Sequence, residues 1–450
     1  MELRHLNSRR RTLLGVATAI FLSGIPCTFL FRPATLAAQQ TGAAALGYHF
    51  YAGSTHAHTA YTWSHGEQFV KNDCNGIQVY APEPGTAIHT WTDGYVKSKT
   101  GCAGIYVIDG AQYPSPSMTV KPDWEKTQGP PLEHFRQAKA AGYDFYITTD
   151  HSQEAAFQPP SAENPVWLDT KRAATASTSA DFVAIAGFEF SENDGPGGTG
   201  HINVMNTSSM LNALAPGVDL PVFYKWLASA QPNGDGPVVA SFNHPTPNQY
   251  NNWDYRDPKV TDIITMLEVI NSNDKIHYPA FVNALDHGWK VAPVCGNDNH
   301  GTTGITRNTS RTIVLARNRT KAEILDAMKH RRTYATLAEK LQASYTVNGA
   351  IMGSTLERPG RFHFDIQVND PGTANPKNKI TKIDIVKDHG EVAEQYTPPS
   401  SGYSAHWTPD IQDSRSKYFF VRVWTAGGGD AASADPKEPV AWLAPVWTGR

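Results

Sequence analysis

Five times along this 450-residue chain, an apolar run ends in histidine, aspartate or glutamate. The endings are His56-Ala57-His58, Asp150-His151, Glu189 in Gly187-Phe188-Glu189, His244 in Asn243-His244-Pro245, and Asp298-Asn299-His300. Phe182–Phe188, Val238–Phe242, Ile263–Ile270 and Val291–Cys295 read as strands, several of them continuous apolar runs, which mark strands covered on both faces as in parallel α/β sheets. Strands that lie side by side bring their ends to one edge, where barrels and open α/β sheets build their sites. Imidazole nitrogens and carboxylate oxygens are donors that divalent metals of borderline hardness prefer. The pattern therefore predicts one shared metal centre at the carboxyl ends of a parallel sheet.

Other segments set the boundaries. Arg9-Arg10-Arg11 precedes Leu13–Phe31, nineteen residues without a charge, and small residues follow at Ala37-Ala38. That order reads as an export signal over 1–38, and Ser8-Arg9-Arg10-Arg11-Thr12-Leu13-Leu14 fits the twin-arginine pattern. An uncleaved anchor is the alternative, since nineteen apolar residues just reach across a bilayer. Cleavage would leave a soluble periplasmic or secreted protein, its formal net charge moving from −3 to about −7. An acidic surface without basic runs argues against nucleic acid as a partner. In an oxidising compartment Cys74 and Cys102 could pair, at a gain of about 3 kcal/mol. Cys27 falls within the signal, and Cys295 reads as a core thiol.

Between the clusters, helical and strand-like runs alternate. Pro131–Ala141 reads as a helix stopped by Gly142, Ala280–His287 as a crossover helix, and Thr320-Lys321-Ala322-Glu323 as a capping box. This βαβα order over 45–340 favours a β/α barrel or a related sheet, interrupted by a Gly/Pro/Asn-rich insertion at 71–131. From 343 to 450 the chain changes to short alternating strands separated by Gly and Pro, the pattern of an all-β sandwich.

The motifs resemble those of the PHP superfamily, metal-dependent phosphoesterases with a distorted seven-stranded β/α barrel. His56-Ala57-His58-Thr59 is similar to the first family motif and Thr149-Asp150-His151-Ser152 to the second. His244 is similar to the third and Asp298-Asn299-His300 to the fourth, with Glu189 and Gly200-His201 between them. The tail, at Tyr345–Gly349 and Ala441–Pro445, resembles the branch named after carbaryl-hydrolysing enzymes. The resemblance implies that His56, His58, Glu189 and Asp298 hold one metal, and that Glu189 bridges to a second completed by His201 and His244. His151, His300 and His65 would hold a third. Here the chain departs from the family, because Thr59–Gly66 carries two extra residues around His65.

Two or three divalent ions (Zn, Mn or Fe) would lower the pKa of a bridging water, whose hydroxide attacks the substrate. The expected activity is hydrolysis of a small-molecule phosphodiester or phosphomonoester. Hydrolysis of aryl carbamates or carboxylic-type esters is the alternative, and a non-catalytic envelope or glycan-binding protein a further one. Asp150 is the expected positioning carboxylate, orienting a ligand imidazole or a water, with a plain strand-end cap as its other reading. His277, His287 and His330 lack strand-end placement and read as non-ligands, while Trp91, Trp124, Trp167 and Trp253 read as loop residues. Lys275 and Arg307 lie near motifs in sequence, without a sign of contact.

Overall fold

The computed structural model describes residues 42–59, 61–62 and 129–449, apart from short stretches at 154–156, 158–159, 192–199, 214, 216, 273–274, 358–359 and 429–437. It also gives the backbone of two hairpins in the insertion, Gln78–Tyr80 with Tyr95–Lys97 and Ile105–Ile108 with Ala111–Pro114. The expectations for residues 1–38, His65, Cys74, Cys102, Trp91 and Trp124 lie outside the described residues.

The fold is mixed α/β, built on a sixteen-stranded sheet. Strands His49–Ser54, Phe145–His151 and Val183–Ser191 run parallel, as do Val239–Asn243, Ile264–Asn271 and Ala292–Gly296. Between these two sets lies His201–Met205, antiparallel to both neighbours. The wholly parallel sheet expected from the apolar runs is thus corrected to a mixed one. Only nine residues separate Ser191 from His201, and a crossover to a parallel strand takes a dozen or more. The reversal has a useful consequence: His201, the first residue of its strand, pairs with Ser191 and Asn243, which end theirs.

The apolar runs explain the packing. Phe145, Ile147, Val183, Ile185, Val239, Met266 and Val294 meet in one fully buried core, closed by Ile324, Leu325 and Met328 of the helix Lys321–Lys329. Thr320 caps that helix, its side chain accepting from the Glu323 N–H as the capping box predicts. Helix Pro131–Ala140 opens with proline at its first position, and Gly142 takes the left-handed φ of 81° that ends it. Tyr278–Asp286 is the expected crossover helix. Helix Pro165–Ser177 has no counterpart among the helical expectations. It buries Trp167, which is therefore not a loop residue, while Trp253 is buried in the irregular turn Asn251–Trp253 with a φ of 66°.

Beyond residue 343 the strands do two things. Ile380–Lys387, Tyr418–Thr425 and Ala441–Leu443 extend the large sheet through pairing of Thr333–Thr336 with Ala441–Leu443. Gln342–Val347, Arg361–Asn369 and Ser404–Trp407 belong to a separate five-stranded sheet. Arg361–Asn369 buries alternate residues, as a strand with one covered face should. Its Phe362, Phe364 and Ile366 share a core with Ile383, Ile385, Phe419 and Val421 of the large sheet. Residues Gln40–Arg450 form one compact unit. No described helix is long and apolar enough to cross a membrane.

Candidate metal centre

All the strand-end residues that fall within the described part of the chain converge on one edge of the large sheet. Backbone hydrogen bonds fix how their loops meet. The His58 N–H donates to Asn299 O (2.9 Å) and the Asp298 N–H to His56 O (3.0 Å), which binds the first motif to the last. Thr149 N–H donates to Ala57 O (2.7 Å), tying in the Asp150-His151 strand. His244 and Asp298 hold φ values of 29° and 48°, which L-residues with side chains rarely adopt. Such conformations persist where surrounding contacts over-determine them, commonly at functional positions.

Glu189 is the centre of the arrangement. Its Oε1 lies 3.3 Å from His56 Nε2, 3.2 Å from His201 Nδ1 and 3.4 Å from His244 Nε2. Its Oε2 lies 3.0 Å from His151 Nε2 and 3.6 Å from His58 Nε2. Asn243 and Ser191 donate to the same carboxylate at 2.8 and 2.9 Å, one to each oxygen. His58 Nε2 also stands 3.0 Å from both His56 Nε2 and Asp298 Oδ1, and the His300 ring stacks on His58 at 4.2 Å. Four overlapping triads result: His56/His58/Glu189, His56/His244/Asp298, Glu189/His201/His244 and His58/His151/His300, each with donor atoms within 4.8 Å of one another. Any of these could hold a divalent ion.

The residues behind the cluster are as informative as the cluster. His56 Nδ1 donates to Glu268 Oε1 at 2.8 Å, leaving Nε2 aimed at the other donors. A carboxylate behind the imidazole is the arrangement that fixes the tautomer of metal-binding histidines. Glu268 also accepts from the His244 N–H (2.9 Å) and from Asn271 (3.2 Å), and Asn271 donates to Asp298 Oδ2 at 3.0 Å. Glycine is needed at 296, where a β-carbon would collide with the Glu268 carboxylate and His56. Asp150 lies at the end of its strand, next to His151. It accepts from the N–H and hydroxyl of Thr59 (2.6 and 2.8 Å) and of Thr62 (3.1 and 2.8 Å), so it holds the loop after His58. Its link to an imidazole is one step removed, through Thr62 Oγ1 at 3.3 Å from His58 Nδ1.

Burial is graded. His56, His58, Glu189 and Glu268 are closed off, whereas the side chains of His201, His244 and Asp298 retain 14 to 18% exposure. They face a cavity of about 320 Å³ that His151, His300, Lys275 and His277 also line. Burial alone would lower His56, but Glu268, Glu189 and Asp298 hold it well above the ordinary imidazole value. His244 is likewise pushed up to about 9 against its burial, chiefly by Glu189. Burial and the neighbouring His300 and His151 keep His58 well below. Burial would raise the Glu189 and Asp298 carboxyls, yet the surrounding histidines hold both well below their usual range.

The structure thus brings together His56, His58, His151, Glu189, His201, His244, Asp298 and His300, and places Asp150 beneath them. His65 lies outside the described residues. Sequence reasoning missed Glu268, Asn243 and Asn271, and set aside His277, which lines the cavity. Glu268 left one trace, a lone carboxylate inside an otherwise uncharged strand. No family model matches the sequence, and no curated protein matches it. Among solved structures the chain is similar to a two-domain protein from Bacteroides vulgatus described as containing a predicted PHP-like metal-dependent phosphoesterase. Identity is 14%, the match covers 89% of this chain and 96% of that one, and the TM-score is 0.40.

Two outcomes are expected. Metal loading near neutral pH should release protons, because His56 and His244 hold theirs in the metal-free cluster and ligand imidazoles must be neutral. Calorimetric titration in buffers of different ionisation enthalpy checks this: buffer-dependent heats are expected, and buffer-independent ones would contradict it. Glu268→Gln, which weakens the hold on His56 without emptying space, should reduce metal affinity about 10- to 100-fold. Competition against a chromophoric chelator would measure it, and wild-type affinity would remove Glu268 from the site.

Proposed function

We propose that this chain is a metal-dependent hydrolase of phosphoesters, acting on a phosphodiester or a small phosphomonoester. The observation that carries the reading is the single buried Glu189 shared among five histidines, with an open cavity on the same side. Burying an ion costs several kcal/mol unless its partners compensate, so a fold has no structural reason to gather so many donors. The donor set, imidazole with carboxylate and no thiolate, fits Zn, Mn or Fe. Divalent ions held there would lower the pKa of a bound water and would offset negative charge on the ester under attack.

The roles of the chain follow from the contacts. His56, His58, Glu189 and Asp298 would hold one ion, and Glu189, His201 and His244 a second. His151 and His300 would contribute to a third, beside His58. Glu268 holds His56 in the tautomer that presents Nε2. Asn243 and Ser191 keep one hydrogen bond on each Glu189 oxygen, so both lobes of the carboxylate stay aimed at histidines. Asp150 keeps the His58 loop closed on the site. The proposal includes export through the 1–38 signal to the periplasm or beyond, a barrel-type catalytic segment over 45–340 and a sandwich-type segment over 343–450. A glycan-binding protein with a degenerate site is disfavoured by the number of donors that meet around Glu189.

His58→Ala and Asp298→Ala should each lose bound metal and at least 100-fold in turnover, while the core around Phe419 stays folded. Hydrolysis of an aryl phosphodiester, an aryl phosphomonoester and an aryl carbamate by Mn- or Zn-loaded protein tests this, with circular dichroism as the control for folding. Unchanged turnover in both variants would sink the site. Turnover of the carbamate alone would move the activity to carboxylic-type esters.

A further inference from the structure

We propose that Lys275 is a specificity-determining residue of this site, an anion anchor that makes the cavity select esters carrying a negative charge beside the scissile bond. The inference rests on the metal-hydrolase reading and adds to it the charge of the substrate. Of the side chains lining the cavity, Lys275 and His277 are the two that belong to none of the donor triads.

Strand register puts Lys275 there. Lys275-Ile276 forms a two-residue strand folded back on Ile264–Asn271, with Lys275 directly opposite Asn271. Residues opposed across an antiparallel pair project from the same face, with β-carbons about 4.5–5.5 Å apart. Asn271 is the residue whose amide donates to Asp298 at 3.0 Å, so Lys275 leaves the sheet on the face that carries the cluster. Its neighbour Ile276 opposes the buried Ile270. The next residue pins the segment: His277 donates its backbone N–H to Val269 O (2.8 Å) and its ring Nδ1 to Pro245 O (3.0 Å). That tautomer leaves Nε2 as an acceptor, and the atom has no hydrogen-bond partner among the described residues.

Lys275 is exposed and makes no ion pair or hydrogen bond among the described residues. With divalent cations bound in the cavity that Lys275 lines, its ammonium would be repelled by them until an anion sits between. The non-bridging oxygens of a phosphoester supply that anion, and a lysine binds them as a point charge. A neutral carbamate or carboxylic ester offers it a carbonyl oxygen but no negative charge. Lys275 therefore favours phosphoesters over uncharged substrates of similar size.

The test uses metal-loaded full-length protein, with inorganic phosphate as the probe and its binding followed by calorimetry. Lys275→Ala should weaken phosphate binding at least tenfold at unchanged metal content, and Lys275→Arg should restore most of it. In kinetics, Lys275→Ala should raise KM for an aryl phosphodiester more than for a neutral aryl acetate. Equal phosphate affinity in wild type and Lys275→Ala, or no phosphate binding by metal-loaded wild type, would overturn the anchor. Failure of the phosphoesterase reading shows separately, as wild-type protein that turns over no phosphoester. The phosphate titration still decides the role of Lys275 in that case.

Discussion

A carboxylate with almost no exposure, surrounded by five imidazoles, is the constraint on which the rest of this structure is arranged. Glu189 sits at the end of a strand that is buried along its whole length, where an unpaired charge would be strongly destabilising. Its two oxygens are divided between two groups of histidines, so it works as a junction rather than as half of an ion pair. Glu189 belongs to two of the donor triads, so displacing its carboxylate would disturb both.

The fold can be understood from that junction outwards. Parallel strands deliver His56, His58, His151 and Glu189 to one edge, because side-by-side strands with the same direction end together. The antiparallel strand His201–Met205 delivers its first residue to the same edge. Apolar side chains lower in the same strands, Phe145, Val183 and Val239 among them, provide the burial that offsets the cost of the polar layer above. Glu268, Asn243, Asn271 and Asp150 are the connecting layer. Each is held by or holds a strand end, and together they leave the donors few other orientations.

Much of this was legible in the sequence, and for a physical reason. A His, Asp or Glu at the end of an apolar strand is a sharp local break in pattern, so the residues that the structure gathers, His56, His58, His151, Glu189, His244, Asp298 and His300, could be named in advance. Capping chemistry is equally local, which is why the helices at 131–140 and 321–329 were readable. Strand direction is not local. The sheet could be recognised from continuous apolar runs, but the reversal of His201–Met205 depended on the length of the 191–201 connection, which outweighed the run pattern. Glu268 sits mid-strand, where burial alone gives a carboxylate no visible role until His56 is seen 2.8 Å away. Lys275 depended on register across a two-residue strand, and no periodicity reports that.

The most direct test is the metal content per chain of wild-type protein and of Glu189→Gln, after reloading with zinc or manganese and removal of free ion. Element-resolved mass spectrometry should find at least two ions per wild-type chain. The single substitution should lose more than one ion, because Glu189 is shared between donor sets. Wild-type protein that binds no metal, or a Glu189→Gln variant that keeps its full complement, would contradict a multinuclear centre built around this carboxylate.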